Sequence, residues 1–435
     1  MAAADARLRC AAWLAAAVPP LVLIACIGAW GVDVPYWDQW VVVPLMDQLF
    51  SGRLDPADVW RQHNDHRVLF PRLVMLGLAR LSRWDVRWEM AANVVFAAAV
   101  FFATLRLVRR ERRWLAAPAV SLLVFNLNQW ENWAWGQQLV VLVNVAAVAA
   151  GVALLAAPAA GTVRLGGAAV AGTVASYSFA NGLLFWPLAL PLVWRSRSGR
   201  RPRVAAWCAA AAAVIAFFFV DYEFTAGSSS VPSSPGDLAL VGAYVAVFVG
   251  APVFAYDGKL AGAGGVLALT AFAVLGARLL RKRPAAAWPW IVLAGYGIGS
   301  GVVAAAGRLH LGLELAMSSR YLTMANFFWL GLLGLAFEAW DAAPPPPRVR
   351  TLARVAAAVA AASLVAGCVW GGVLFREQHL DRSKARRALA AGTLDEGLPH
   401  VYPDNRIPPA YVEGLRRHRL SLFRDVPPAR DDGRR

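Results

Sequence analysis

Long apolar runs separated by short polar or basic stretches dominate the chain. The runs cover residues 11–30, 90–108, 115–126, 139–157, 165–179, 183–194, 204–220, 238–254, 262–280, 285–306, 321–340 and 355–374. A helix needs about 20 apolar residues to cross the hydrocarbon core of a bilayer, so the pattern predicts an all-α, polytopic membrane bundle. Basic stretches punctuate the runs at 109–113, 195–203, 278–283 and 348–354. Such stretches mark cytoplasmic loops. Counting 238–254 as a span would put 281–283 and 348–354 on the wrong side, so this run reads as re-entrant or interfacial. About 11 spans follow, within a range of roughly 10 to 12. The N-terminus is then cytoplasmic and the C-terminus extracytoplasmic.

The first run is preceded by Arg7 and Arg9. It reads as a retained span rather than a cleaved signal, because it holds Pro19-Pro20 and no small-residue cleavage site precedes Asp33. Residues 33–88 are too polar to span. Within them, 41–50 and 69–81 read as amphipathic helices lying in the interface. This gives a membrane domain over 1–375, with 33–88 as its first extracytoplasmic loop. A Ser/Pro-rich linker is expected at 227–236. A small, loop-rich extracytoplasmic tail follows at 376–435, with the turn-forming stretches 402–404 and 407–409.

Composition sharpens this picture. Of 435 residues, 59% are hydrophobic and 16% charged, against about 25% charged in soluble domains. A soluble globule would lack polar cover, and 19 Trp and 20 Phe exclude a disordered chain. The net charge of +16 suggests nucleic acid at first sight, but basic cytoplasmic loops account for it and no nucleic-acid partner is expected. Cys10, Cys26, Cys208 and Cys368 show no paired spacing, so neither a zinc site nor a disulfide framework is indicated.

The unusual polar and aromatic residues gather at the extracytoplasmic ends of the expected spans, in four clusters. The first is Asp33, then Trp37, Asp38, Gln39 and Trp40. A carboxylate beside a membrane is costly and suggests function, although Trp residues also form plain interface belts. The second is His63, Asp65, His66 and Arg67, followed by Arg72. Its two His and one carboxylate could hold a metal, contact substrate, or merely cap a helix. The third holds Trp130, Glu131, Asn132, Trp135 and, in a companion stretch, Asn181. Aromatic rings interleaved with amides suit the apolar faces and hydroxyls of a sugar. The fourth is Ser318-Ser319-Arg320-Tyr321, preceded by His310 and Glu314. An arginine at that depth needs an anion, which Glu314 would supply internally or a lipid phosphate from outside.

These features resemble the membrane glycosyltransferases of the GT-C fold. The resemblance rests on the acidic residue after the first span (Asp38, or less well Asp33), the loop 33–88, and the Arg320-Tyr321 pair heading a late helix. Similar Trp-Asp-Gln-Trp and His-Asn-Glu-His-Arg signatures occur in bacterial polytopic membrane proteins; here Asp65 replaces the Glu. The match departs from the family where many members carry two adjacent acidic residues, since Asp38 is followed by Gln39.

The resemblance implies transfer of a sugar from a polyprenyl-phosphate donor to an extracytoplasmic glycan, lipid or protein acceptor at the bacterial cytoplasmic membrane. Asp38 would act as base and Arg320 as phosphate partner, with Arg67 or Arg72 assisting. His66 and Glu131 would orient substrate. No cofactor is implied, and a divalent metal remains open. The rival readings are a transporter or flippase of a lipid-linked or anionic substrate, and a non-catalytic envelope assembly protein. No internal repeat of the kind many transporters carry is evident.

Overall fold

The computed structural model describes residues 2–157, 161–195, 199–224, 234–394, 398–402 and 408–425. Most of the expected linker at 227–236 lies outside them. So do 403–407 of the tail and 196–198 of the second basic stretch. The described chain is helical, with no β-strand. In chain order the α-helices are α1 (Ala2–Trp30), α2 (Val43–Phe50), α3 (Pro56–Trp60), α4 (Leu69–Ser82), α5 (Arg87–Leu107), α6 (Arg113–Val124), α7 (Trp130–Ala134), α8 (Leu139–Ala156) and α9 (Thr162–Ser176). They continue with α10 (Phe185–Trp194), α11 (Arg200–Phe218), α12 (Pro235–Gly250), α13 (Gly258–Lys282), α14 (Pro284–Arg308), α15 (Leu322–Ala342), α16 (Pro347–Ala391) and α17 (Pro409–Arg417).

Among the described residues, eight helices are long and apolar enough to cross a membrane: α1, α5, α8, α11, α13, α14, α15 and α16. All of the remaining expected spans are helical but short. With 12 residues, α6 reaches about 18 Å at 1.5 Å per residue. The 15 residues of α9 and 10 of α10 also fall short of a core of about 30 Å. The missing depth beside α6 is filled by tight turns at 127–129 and 136–138 and by α7. Asn126, Asn128, Gln129, Asn132, Gln137 and Gln138 are buried there. Irregular backbone at depth is tolerated when protein surrounds it, and these amides satisfy it. Asn126 accepts the Asn128 N–H at 2.6 Å, and Gln129 donates to the Val124 carbonyl at 2.7 Å.

The expected re-entrant run forms α12, a regular 16-residue helix. It packs backbone-close on α13. A Cβ at Gly250 would lie 1.8 Å from the Ala261 carbonyl oxygen, and one at Gly265 1.8 Å from that of Ala246. Small residues allow this approach, and van der Waals packing then holds the pair without a hydrophobic driving force between helices.

Burial orders the bundle. The apolar windows of α8 and α15 are 72% and 67% buried, which makes them central. Those of α1 and α11 are 11% buried, with residues such as Leu14, Leu21 and Phe217 uncovered. An apolar surface this continuous needs a lipid or protein cover.

The basic stretches meet at one end. Arg112 pairs with Asp341 at 3.0 Å and Arg109 with the same carboxylate at 3.8 Å. Arg195 donates to the Ala285 carbonyl at 2.7 Å. At the other end lies the first loop, and the C-terminal segment packs onto it. Trp37 donates its N–H to the Val401 carbonyl at 2.8 Å. His418 meets Asp47 at 2.9 Å, and Arg424 meets Asp85 at 2.9 Å. The expected tail boundary at 375 falls inside α16, which continues to Ala391.

Candidate functional site

Two tight turns of the first loop bring Asp38 to His63. The Asp38 carboxylate lies 3.5 Å from His63 Nε2. Asp38 follows Trp37, whose φ is +47°, and His63 precedes Asn64, whose φ is +48°. A bulky residue in the left-handed region is costly. Such strain persists only where surrounding contacts impose it, and it concentrates at functional sites. Here the contacts are the Trp37–Val401 bond and a paired exchange between His63 and His66, N–H to carbonyl at 2.9 and 3.0 Å.

His66 lies against the ring of Phe179, with ring centres 3.9 Å apart. Its Nδ1 accepts the Ala180 N–H at 3.3 Å, which leaves Nε2 as the protonated donor of a neutral ring. Burial is the main force lowering its pKa to about 4, and the charges of His63 and Arg308 push the same way. His66 is therefore neutral at pH 7. With Nδ1 engaged, the His63/His66 pair does not form the open metal set considered from the spacing. Among the described residues no group of three or more His, Cys, Asp or Glu is placed to hold a metal.

An aromatic wall joins this corner to the third and fourth clusters. Trp135 packs edge-on against Tyr36 at 5.6 Å and lies 6.5 Å from Trp37. From the same segment, Glu131 accepts the Ser319 hydroxyl at 2.5 Å and the Arg320 N–H at 3.2 Å. Asn132 donates to the Arg320 carbonyl at 3.2 Å and to the Thr323 hydroxyl at 2.6 Å. The backbone of Arg320 is thus clamped, while its guanidinium lies over the Tyr321 ring at 5.8 Å. Glu314, the internal anion considered for Arg320, forms no ion pair with it.

Arg308, at the end of α14, is a second cation here. Its charge acts on both His66 and Tyr244, and that of Arg320 acts on Tyr244 as well. Neither Arg308 nor Arg320 forms a salt bridge among the described residues. The Tyr244 hydroxyl is buried without a hydrogen-bond partner among the described residues.

Other expected site residues serve the scaffold. Asp33 is buried and accepts hydrogen bonds from the Val86 N–H at 3.2 Å and the Ser421 hydroxyl at 3.0 Å. It ties the C-terminal segment down rather than facing Asp38's corner. Burial, with Asp85 nearby, raises its pKa to about 6. Gln39 bridges the Tyr36 N–H and the Glu89 carboxylate, and Trp40 is buried in the core. Arg67 donates to the Phe218 and Val220 carbonyls at the end of α11. Arg72 donates to the Val59 and Arg61 carbonyls at the end of α3. These guanidiniums cap helix ends, where carbonyls lack partners. Asn181 is buried and donates to Met324 Sδ at 3.2 Å. Asp65 receives the Tyr222 hydroxyl on its carbonyl at 3.2 Å.

Two arginines escaped the sequence reading, Arg308 and Arg382. Arg382 lies over the Tyr36 ring, 3.8 Å from its centre, and donates to the Ala134 carbonyl. Its Nε and Nη2 are buried without partners. A signal existed: Phe375, Arg382, Ala385 and Leu389 share the buried face of α16, so helical spacing put an arginine in an apolar stripe.

No protein-family model matches the chain, and no curated protein or solved structure matches it significantly.

Proposed function

We propose that this chain is a membrane glycosyltransferase of the GT-C type. It moves a sugar from a polyprenyl-phosphate donor to an acceptor on the side of the first loop. One observation carries the reading: a strained loop holds the Asp38 carboxylate at the same end of the bundle as two guanidiniums without carboxylate partners, Arg308 and Arg320.

The chemistry follows from these groups. The acceptor hydroxyl attacks the anomeric carbon as Asp38 takes its proton. The bond from that carbon to the donor phosphate breaks, and its electron pair leaves with the phosphate oxygen. Arg308 and Arg320 stabilise the charge that develops there, most strongly where water is excluded. A single displacement inverts the anomeric centre. Nε2–H of His66 donates to a sugar hydroxyl, and Trp37, exposed and backed by the buried Trp135, offers a face to the ring. The first-loop side is then extracytoplasmic, and the Arg109–Asp341 end faces the cytoplasm of a bacterial cell.

The test is Asp38→Asn in cells that make the chain's own glycan product. Loss of that product at unchanged protein level is expected. Normal product in the variant removes Asp38 as the base.

A further inference from the structure

A second cationic feature lies at the opposite end of the bundle. A cleft of about 770 Å³ opens among α5, α6, α8, α9, α14 and α15. Five arginines line it, Arg106, Arg109, Arg110, Arg113 and Arg164, against one carboxylate, Glu338. Arg109 is offset by Glu111 at 2.9 Å and by Asp341. Arg113 donates to the Val108 carbonyl at 3.2 Å. The side chains of Arg106 and Arg110 form no ion pair or hydrogen bond among the described residues, and both residues are exposed. The remaining wall is apolar and includes Phe102, Leu154 and Trp290. Phe102, on the span α5, is 61% exposed.

We infer that this cleft binds an anionic phospholipid, with the headgroup phosphate on Arg106 and Arg110 and an acyl chain along Phe102 and Leu154. Arginine binds phosphate bidentately, and basic pockets between membrane helices suit anionic headgroups. A soluble anion would satisfy the guanidiniums but leave the apolar wall wet. A zwitterionic lipid would cover the wall but bring no net charge. The inference does not depend on the catalytic reading, which concerns the other end.

The experiment uses the purified full chain in neutral detergent with added phosphatidylglycerol, phosphatidylcholine or inorganic phosphate. Lipid retention is read by native mass spectrometry and stability by thermal unfolding. Phosphatidylglycerol is expected to be retained and to raise the melting temperature; phosphatidylcholine and phosphate are not. The double variant Arg106→Gln/Arg110→Gln should bind phosphatidylglycerol roughly tenfold more weakly, with unchanged melting in phosphatidylcholine. Glu338→Gln removes the opposing charge and should tighten binding, which keeps the test decisive should the double variant not fold. Equal retention of the two lipids, an equal effect of phosphate, full retention by the double variant, or no gain in Glu338→Gln would each overturn the inference.

Discussion

Glu131 holds the start of α15 by accepting the Arg320 N–H at 3.2 Å, so a carboxylate from one cluster sets the position of a cation in another. Negative charge at a helix start is favourable, and this contact crosses the molecule rather than coming from the local sequence. Glu131→Ala should release that clamp. Donor affinity is expected to fall about tenfold while acceptor affinity changes little, because the loss acts through Arg320. Glu131→Gln keeps an accepting oxygen and should recover part of the loss. Donor titration of both variants checks this, and an alanine variant with wild-type donor affinity would refute the positioning role.

The two unpaired arginines predict separable effects. Arg308→Ala and Arg320→Ala should each weaken donor binding by roughly tenfold to a hundredfold, the range for hydrogen bonds to charged groups. Arg308→Ala carries a second readout. Burial is the main cause that holds the His66 pKa near 4, and the Arg308 charge adds to it, so removing Arg308 should move the His66 titration modestly upward. An NMR titration of the His66 ring follows this without any substrate. A downward or absent shift would place Arg308 away from the His66 corner.

The distribution of helices was legible in the sequence because bilayer thickness dictates the length of apolar runs. The one-sided gathering of basic stretches was legible for another reason, the bias of Lys and Arg toward the loops of one side. Side-chain partners were not. The resemblance implied Arg67 or Arg72 as assistants to the phosphate partner Arg320, and instead the distant α11 supplies carbonyls to Arg67 and the nearby α3 supplies them to Arg72. Trp40 looked like its neighbour Trp37, yet the turn that leaves Trp37 partly exposed buries Trp40. Asp38 and His63 could be chosen separately, but their approach depends on two left-handed residues, Asn64, which tolerates that conformation, and Trp37, which no propensity places there.

Asp33 makes a pH-dependent prediction. Its folded pKa of about 6 lies above the ordinary value of about 3.9. The folded state therefore binds more protons between those values, and stability from this group is full below about pH 4 and is lost as pH rises through 6. Asp33→Asn does not titrate. Its melting temperature relative to wild type should rise from pH 4 to pH 7, by the equivalent of at most about 3 kcal/mol. Thermal unfolding across that window checks the sign. A difference that falls with pH would mean that the Arg424 pairing dominates the burial of Asp33.

The contacts of Arg424 lead to the last prediction, which concerns sidedness. Arg424 lies 2.9 Å from Asp85 and 3.5 Å from Asp33, and His418 lies 2.9 Å from Asp47. Each partner belongs to residues 33–88, so the segment around His418 and Arg424 packs on the first loop, and the expectation is that the two share one side of the membrane. A reporter fused after Arg435 and one inserted beside Gly52 should give the same side, and one inserted beside Arg110 the opposite side. Arg424→Ala leaves the buried Asp33 carboxylate without its cation, while Asp85 keeps Arg87 at 2.7 Å. Removing one partner of a buried pair costs about 3–5 kcal/mol, and the 22% exposure of Arg424 brings the expected loss below that range. The C-terminal segment should then become sensitive to added protease while the spans stay intact. A tail that stays protected, or reporters that disagree between Gly52 and the C-terminus, would break the link between α17 and the loop that holds Asp38.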